Sequence, residues 1–227
     1  MSDVVLVFII IFLFFVKLGL AYNWFSFPNF WLPNFLKKIK KESVKEWVDS
    51  AFYASLLAFL VITFIGRIYI IPSSSMEPTL KPGDVVFGLN KLWFSSKENL
   101  RVSRGDILIF KPPIPYENRL YIKRLIGLPR DKIFINQGML YVNDKFVNEG
   151  YIFYRDYYTY GPVIVPENSY FFLGDNRPNS YDSHLWDNPF VNKKDIKAKA
   201  IIILFPFNRI RILSNPFKEA ISKKKEK

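Results

Sequence analysis

The hydrophobic residues divide the chain into two parts. Residues 4–16 are all apolar and the run continues past Lys17 to about residue 24, and a second apolar run covers residues 47–65. Each run has about the twenty residues that a helix rising about 1.5 Å per residue needs to cross a bilayer. The pattern predicts transmembrane helices over residues 1–22 and 47–67.

Each apolar run has an alternative interpretation. A cleavable signal peptide would carry positive charge ahead of its apolar region, yet the charged residue there is Asp3. A retained helix is therefore the favoured interpretation of the first run. A buried helix of a soluble protein is the alternative for the second, but the neighbouring first run and the lysine-rich loop favour a membrane.

The segment between the two runs is basic, since residues 37–45 hold five lysines and one glutamate. Short loops rich in Lys and Arg stay on the cytoplasmic side of a membrane. We therefore predict a cytoplasmic loop over residues 23–46 in a multi-pass protein of the cell (inner) membrane. Everything after Arg67 is then predicted to be extracytoplasmic (periplasmic). The basic tail, residues 216–227, does not contradict this orientation, because charges that follow a long translocated domain have little effect on it.

After Arg67 the pattern changes to short strands. Segments rich in β-branched and aromatic residues, bounded by Gly, Pro, Asn or Asp, predict seven of them. They are residues 84–89, 106–110, 121–126, 132–135, 139–142, 169–173 and 199–205. Asn-Gln-Gly at residues 136–138 is typical of a hairpin turn. The chain is predicted to be mostly β: a membrane-anchored, antiparallel, β-barrel-like domain over residues 68–215, preceded by the two transmembrane helices.

Composition narrows the choice of function. The chain of 227 residues has no cysteine and one histidine, which removes disulfides and thiolate sites and disfavours a histidine-rich metal centre. The net charge of +12 at pH 7 is concentrated in residues 37–45, with net +4, and residues 208–227, with net +5. Such basic runs are typical of solvated or lipid-facing segments, so no nucleic-acid partner is predicted. No metal or cofactor is predicted either.

Candidate chemistry begins with a serine cluster, IPSSSMEPTL at residues 71–80. Such a cluster usually marks a polar turn, and a nucleophilic serine needs a base. In YIKRLIG, residues 121–127, strand alternation sends Lys123 and Arg124 to opposite faces. A desolvated lysine can lose its proton and an arginine cannot, so Lys123 is the candidate base. The alternative is an exposed lysine on an edge strand.

Four blocks of sequence resemble the bacterial type I signal peptidases, peptidase family S26, which are membrane-anchored serine proteases with a Ser-Lys dyad. In the order of that family they are PSSSMEPTL, RGDILIFKPP, YIKRLIGLPRD and GDNRPNSYDS, covering most of residues 70–200. The resemblance implies that Ser75 is the nucleophile and Lys123 its general base. It also implies that residues 68–215 form a catalytic domain.

Further roles follow from the same resemblance. Ser73 would donate its hydroxyl to the oxyanion together with the backbone N–H of Ser75, and Ser180 would hydrogen-bond and orient the lysine amine. The supporting residues implied around that site are Asp182, Asp175 and Arg177.

Three residues depart from the family pattern. Arg130 replaces a usual glycine, His184 replaces a common arginine and Asp187 replaces a frequent glycine. These departures concern the local turns and the salt bridge of Asp182, and they leave the dyad intact.

The implied substrates are secreted preproteins whose signal peptides end in small residues of the Ala-x-Ala type. Such a peptide would lie extended beside a strand, with alternate side chains in two shallow pockets. The other implied partners are membrane lipids and, transiently, the protein-export machinery, with no cofactor. Because Ser75 follows Ile65 by ten residues, the site is expected close to the bilayer.

Other interpretations stay open. A triad of His184 and Asp182 is a rival to the lysine base. A self-cleaving repressor with a Ser-Lys dyad would need a DNA-binding helical domain, and residues 1–67 are apolar helices instead. A conjugation-type peptidase with one dedicated substrate would share the chemistry. An inactive, membrane-tethered domain that binds signal peptides would have no evident need for the serines and the lysine.

Overall fold

The computed structural model describes residues 3–21, 41–93 and 101–217. The chain divides into two units, Met1–Ile65 and Gly66–Lys227. Most of the predicted basic loop and nearly all of the predicted basic tail lie outside the described residues. The account below therefore concerns the helices and the β unit, each taken by itself.

The first unit consists of two helices, α1 (Asp3–Ala21) and α2 (Lys41–Leu60), the second of which continues as a π-helical turn, Val61–Ile65. The helices are joined by a polar contact, because Lys17 Nζ lies 2.9 Å from Asp49 Oδ1 and donates to the hydroxyl of Tyr53 at 3.2 Å. The same ammonium lies 4.5 Å from the centre of the Tyr53 ring. A lysine that interrupts an apolar run is thus paired within the unit.

One helix among the described residues is long and apolar enough to cross a membrane, Lys45–Ile65, with a mean hydropathy of 2.0. The apolar stretch described in α1, Ile9–Leu18, is shorter. The prediction of two transmembrane helices therefore stays a prediction. The second helical segment ends at Ile65, so residues 66 and 67, assigned to that helix from sequence, begin a strand instead.

The second unit has twelve strands in its described part. They are β1 (Gly66–Ile70), β2 (Val85–Asn90), β3 (Ile107–Phe110), β4 (Tyr121–Gly127), β5 (Lys132–Asn136), β6 (Met139–Val142), β7 (Lys145–Phe146), β8 (Tyr160–Ile164), β9 (Ser169–Leu173), β10 (Val191–Asn192), β11 (Ile196–Phe205) and β12 (Arg211–Ile212). The mostly β prediction is confirmed.

Eight strands form one antiparallel sheet in the order β1-β2-β11-β3-β4-β9-β10, with β12 paired to β11, and β7-β6-β5-β8 form a second sheet. The large sheet curls into a half-barrel, so the predicted barrel-like domain is an open one: among the described residues, no pairing joins its end strands β1 and β10. Register shifts in β11, between Ala200 and Ile202 and between Ile203 and Phe205, explain the bending, because bulges kink and twist a strand. Strand β4 lies inside the sheet, between β3 and β9.

All seven predicted strands are present, and the hairpin between β5 and β6 turns on Gln137 and Gly138, both with positive φ. The missed strands have weak sequence signals. Strand β8 contains a glycine and a proline, Gly161 and Pro162, and the first two residues of β1, Gly66 and Arg67, were assigned to the preceding helix. The remaining three, β7, β10 and β12, have two residues each.

Apolar side chains anchor the segment that carries the serine cluster. Met76 and Leu80 are fully buried and pack with Ile109 of β3 and Ile203 of β11 in one core cluster. Full burial of such a side chain stabilises by about 1.5–3 kcal/mol. The serines directly before Met76 are thereby attached to the large sheet.

Candidate active site

Ser75 lies in a short 3-10 turn, Ser74–Met76, that follows β1. Its side chain is buried with the residue 6% exposed. Asn176 fastens this turn from the segment after β9: its backbone N–H donates to the carbonyl of Ser75 at 3.1 Å, and its side-chain amide donates to the carbonyl of Ser74 at 3.2 Å. The backbone at Ser75 is therefore held by the hydrogen bonds of a second segment.

Lys123 and Arg124 are both buried in β4, at 4% and 2% exposure. Because successive residues of a strand point to opposite faces, the two cations face different surroundings, as alternation predicted. The alternative of an exposed lysine on an edge strand is wrong, since β4 pairs with β3 on one side and β9 on the other.

Lys123 Nζ is hydrogen-bonded to Ser75 Oγ. Burial lowers the pKa of Lys123 to about 8, against the opposing attraction of the Asp182 and Asp175 carboxylates. A lysine amine in this state gives up its ammonium proton near neutral pH and can then accept one from the serine hydroxyl. Ser73 Oγ lies 3.2 Å from Ser75 Oγ, so the first and third serines of the cluster meet at one point.

Ser180 lies beside this pair, but its hydrogen bond differs from the predicted one. Its hydroxyl donates to Asp182 Oδ2 at 2.5 Å, and the same oxygen accepts the backbone N–H of Gly174 at 2.8 Å. Asp182 is fully buried, and its other oxygen, Oδ1, lies 2.6 Å from His184 Nδ1. The predicted bond from Ser180 to the amine of Lys123 is replaced here by the bond to Asp182.

Asp175 binds Arg124 through two parallel hydrogen bonds. Arg124 Nε donates to Oδ1 at 2.8 Å and Nη2 donates to Oδ2 at 2.6 Å. Thr79 Oγ1 also donates to Oδ2, at 2.5 Å, and Arg124 Nη1 donates to the carbonyl of Gly105 at 2.8 Å. Both charges are compensated, so this pair ties the serine segment, β4 and the segment after β9 together.

Arg177 is 2% exposed and lies in the segment that follows β9. It donates to the carbonyl of Gly174 at 3.1 Å and to Glu149 Oε1 at 2.5 Å, and Tyr151 donates its hydroxyl to the same Glu149 oxygen at 2.6 Å. The Tyr151 ring lies 4.2 Å from the guanidinium carbon of Arg124. Glu149 and Tyr151 were missed from sequence, because they come from a loop with no motif of its own.

The three departures from the family pattern are accommodated locally. Arg130 has φ of 70°, a left-handed conformation that glycine adopts most easily, and its Nε donates to Glu167 at 2.8 Å. His184 occupies the place beside Asp182, and Asp187 lies exposed after Trp186. Among the described residues, the hydroxyl of Ser75 is hydrogen-bonded to Lys123 and Ser73, and none of the three departing residues is hydrogen-bonded to it or to the amine of Lys123.

A cleft of about 690 Å³ opens onto the two candidate residues. The residues that line it include Tyr69, Ile70 and Pro72, residues 119–122, and both Ser75 and Lys123. Among the described residues, no group of three or more His, Asp or Glu side chains is placed to hold a metal ion. The arrangement offers a nucleophile, a base and a channel for an extended chain.

Comparison with known proteins shows which family this chain resembles. The family model described as signal peptidase, peptidase S26, matches residues 44–205. A probable signal peptidase I-2 of Synechocystis sp. is 38% identical over 185 residues, covering 78% of this chain and 82% of that protein. A signal peptidase I of Bacillus amyloliquefaciens is 36% identical over 185 residues, covering 77% of this chain and 95% of that protein. A crystal structure of a signal peptidase I from Enterococcus faecalis is 31% identical, with a TM-score of 0.38, covering 43% of this chain and 95% of that chain.

Gly174 provides a test of how closely the segments approach at the site. A Cβ at this position would lie 2.2 Å from Ser180 Oγ and 2.5 Å from the carbonyl oxygen of Ser75. Gly174→Ala is therefore expected to lower the free energy of unfolding by about 1–3 kcal/mol, measured by thermal unfolding of the full chain in detergent micelles. Gly150→Ala is the matched control, because a Cβ there meets nothing within 4 Å. Equal unfolding temperatures for the two variants would contradict the close approach.

Proposed function

This chain belongs to the signal peptidase family of peptidases, peptidase S26, and on that premise we propose that it removes N-terminal signal peptides from exported preproteins with a Ser-Lys dyad. The observation that carries the proposal is the hydrogen bond between Lys123 Nζ and Ser75 Oγ inside a buried site. A serine next to a desolvated lysine is a known alternative to a serine next to a histidine.

Acylation begins with the neutral amine of Lys123. It takes the proton of Ser75 Oγ as that oxygen bonds to the carbonyl carbon of the scissile peptide. The resulting lysine ammonium then gives this proton to the leaving amine as the peptide C–N bond breaks. The product is an ester between Ser75 and the signal peptide, and the mature protein departs with a new amino terminus.

Deacylation repeats the same proton transfers with water. The neutral amine of Lys123 takes a proton from a water molecule whose oxygen attacks the ester carbonyl, and the ammonium then returns a proton to Ser75 Oγ as the ester breaks. The signal peptide leaves as a carboxylic acid, and both catalytic side chains recover their starting states.

In both steps a negative charge develops on the carbonyl oxygen of the substrate, and hydrogen-bond donors are needed to stabilise it. The hydroxyl of Ser73, 3.2 Å from Ser75 Oγ, is close enough to the reacting oxygen to reach an oxyanion that forms beside it. The backbone N–H of Ser75 would be the second donor. A donor of this kind typically accelerates the reaction by about a hundred- to a thousand-fold.

Ser180 and Asp182 would keep the amine in place. The family resemblance implies that Ser180 orients the amine, and the bond from Ser180 to Asp182 fixes the position of its hydroxyl. Asp175 would tie the segment after β9 to β4 through its bond to Arg124. Arg177 would hold the backbone of that segment through its bond to the Gly174 carbonyl. Their roles are structural.

The cleft supports an extended peptide as substrate. Strand β1 is the first strand of the large sheet, and its residues Tyr69 and Ile70 line the cleft that leads to Ser75. A peptide laid along this edge would gain main-chain hydrogen bonds and place alternate side chains towards the protein. Selection of small residues of the Ala-x-Ala type would then follow from the size of the pockets that receive them.

Membrane attachment is the second part of the proposal. The apolar segment Lys45–Ile65 is compatible with a transmembrane helix, and Ser75 follows its end by ten residues of chain. The chain would cross the membrane twice and carry its catalytic domain on the extracytoplasmic side. It would also contact lipids and the export machinery. A site close to the bilayer suits a substrate whose apolar half is still in the membrane.

A histidine triad has one feature in its favour, since His184 and Asp182 are in contact as such a triad requires. The hydroxyl of Ser75, however, is bonded to Lys123. The proposal therefore assigns the base to the lysine.

Loss of either member of the dyad is expected to abolish cleavage. Ser75→Ala removes the nucleophile, and Lys123→Met removes the base while keeping a side chain of similar shape. Both should reduce kcat for a preprotein substrate by more than about a thousand-fold, measured with the full chain in detergent micelles. Ser74→Ala is the control, because the neighbouring hydroxyl has no assigned chemistry, and it should cleave at the wild-type rate. Processing that survived Ser75→Ala would refute the mechanism, and an inactive wild type would favour the peptide-binding alternative.

The pH dependence of cleavage tests the state of the base. Only the neutral amine accepts a proton, and the pKa of Lys123 is about 8, so kcat/KM should rise with pH and level off above this value. Below it the ammonium form accumulates, and kcat/KM should decline as the pH is lowered. A flat profile across this range, in protein shown to remain folded, would count against a neutral lysine.

A further inference from the structure

The chain has one histidine, His184, and the structure places it beside the candidate active site. Its side chain is 7% exposed, and its Nδ1 lies 2.6 Å from Asp182 Oδ1. Tyr158 stacks on the imidazole with ring centres 4.2 Å apart and an angle of 17°, and Tyr160 packs edge-on at 6.3 Å. The imidazole is therefore fixed against one oxygen of a buried carboxylate.

Asp182 connects this imidazole to the base. While Oδ1 faces His184, Oδ2 accepts the hydrogen bonds of Ser180 and Gly174 at the edge of the site. The negative charge of Asp182 also acts on Lys123, where it favours the ammonium form. One carboxylate thus has the histidine on one side and the reacting amine on the other.

Resting on the Ser-Lys mechanism, we propose that His184 is a positioning residue whose charge sets how strongly Asp182 attracts the amine of Lys123. A neutral imidazole donates its Nδ1–H to Asp182 and leaves the full carboxylate charge acting on the lysine. A protonated imidazole cancels much of that charge, while the hydrogen bond that orients Asp182 is kept.

The direction of the effect follows from Coulomb's law. When His184 is protonated, the ammonium of Lys123 loses part of the attraction of Asp182, so the lysine gives up its proton at lower pH. The two cations therefore disfavour each other.

The other charged and titratable groups around these residues are two tyrosines, several paired ions and the Asp156 carboxylate. Burial raises the pKa values of Tyr158 and Tyr160, so both rings stay neutral through the physiological range. The charges that act on Tyr158 from neighbouring segments are Arg177, Glu149, Asp182 and Asp156. Of these, Arg177 is paired with Glu149, and on the side of Lys123 the second carboxylate, Asp175, is paired with Arg124. Tyr121 is the remaining neighbour of Lys123, and burial raises its pKa as well.

Histidine is the side-chain type that normally changes charge between about pH 5 and 8, whereas arginine keeps its charge. The family pattern commonly has arginine at this position, so Asp182 would there be compensated at every pH. In this chain the compensation depends on the charge of the imidazole that contacts Asp182. The difference can be measured by restoring a permanent charge.

The test compares kcat/KM against pH for the wild type, His184→Arg and His184→Asn, each as the full chain in detergent micelles. The asparagine amide can keep a hydrogen bond to Asp182 without a charge, and the arginine carries a permanent charge. We expect the acid limb of His184→Arg to lie about 0.5–1 pH unit below that of His184→Asn. The acid limb of the wild type should lie between those of the two variants.

Controls separate this proposal from a purely structural role and from the proposed function. Tyr158→Phe keeps the ring stacked on His184 and changes no charge, so its acid limb should coincide with that of the wild type. Superimposed profiles for the wild type and His184→Arg would overturn the proposal, and this comparison decides it even if His184→Asn fails to fold. Cleavage by Ser75→Ala, measured in parallel, would instead refute the Ser-Lys mechanism.

Discussion

The burial of one lysine amine against one serine hydroxyl is the interaction on which the site depends. Withdrawal from water lowers the pKa of Lys123 to about 8, and the carboxylates of Asp182 and Asp175 oppose this shift. Without burial the amine would stay protonated at neutral pH and could not act as a base. Without the carboxylates the same burial would lower the pKa further and leave a weaker base. The balance gives an amine that is neutral in part at physiological pH and would still be basic enough to take the proton of Ser75, as the proposed mechanism requires.

The fold provides this burial by setting Lys123 in an inner strand. Strand β4 pairs with β3 and β9, and the side chains of Lys123 and Arg124, on its two faces, are both withdrawn from water. The arginine cannot lose its charge, and Asp175 compensates it with two hydrogen bonds. Removing one partner of such a buried pair typically costs about 3–5 kcal/mol, so this pair strongly constrains the segments that it joins. Those segments carry the other residues around Ser75.

Local patterns were sufficient for seven of the strands and for Lys123 as a candidate base, whereas Ser75 was singled out as the nucleophile by the family resemblance. Alternation and β-branched residues located β4, and the difference between lysine and arginine chemistry pointed to Lys123 before any contact was known. Strand β8, with its glycine and proline, lacked such a pattern and was missed. Sequence also could not supply contacts between distant segments. The bond of Ser180 to Asp182 and the pairing of Glu149 with Arg177 depend on how the loops cross, which no single motif encodes.

The central claim is that the Lys123 amine is neutral in part at physiological pH. Its most direct test is an NMR titration of isotopically labelled lysine side chains in the full chain in detergent micelles, with the Lys123 resonance assigned from its loss in Lys123→Met. The titration should give a midpoint at about 8. A midpoint near 10.5, the ordinary value for a lysine, would show that the amine stays charged and would contradict the lysine base.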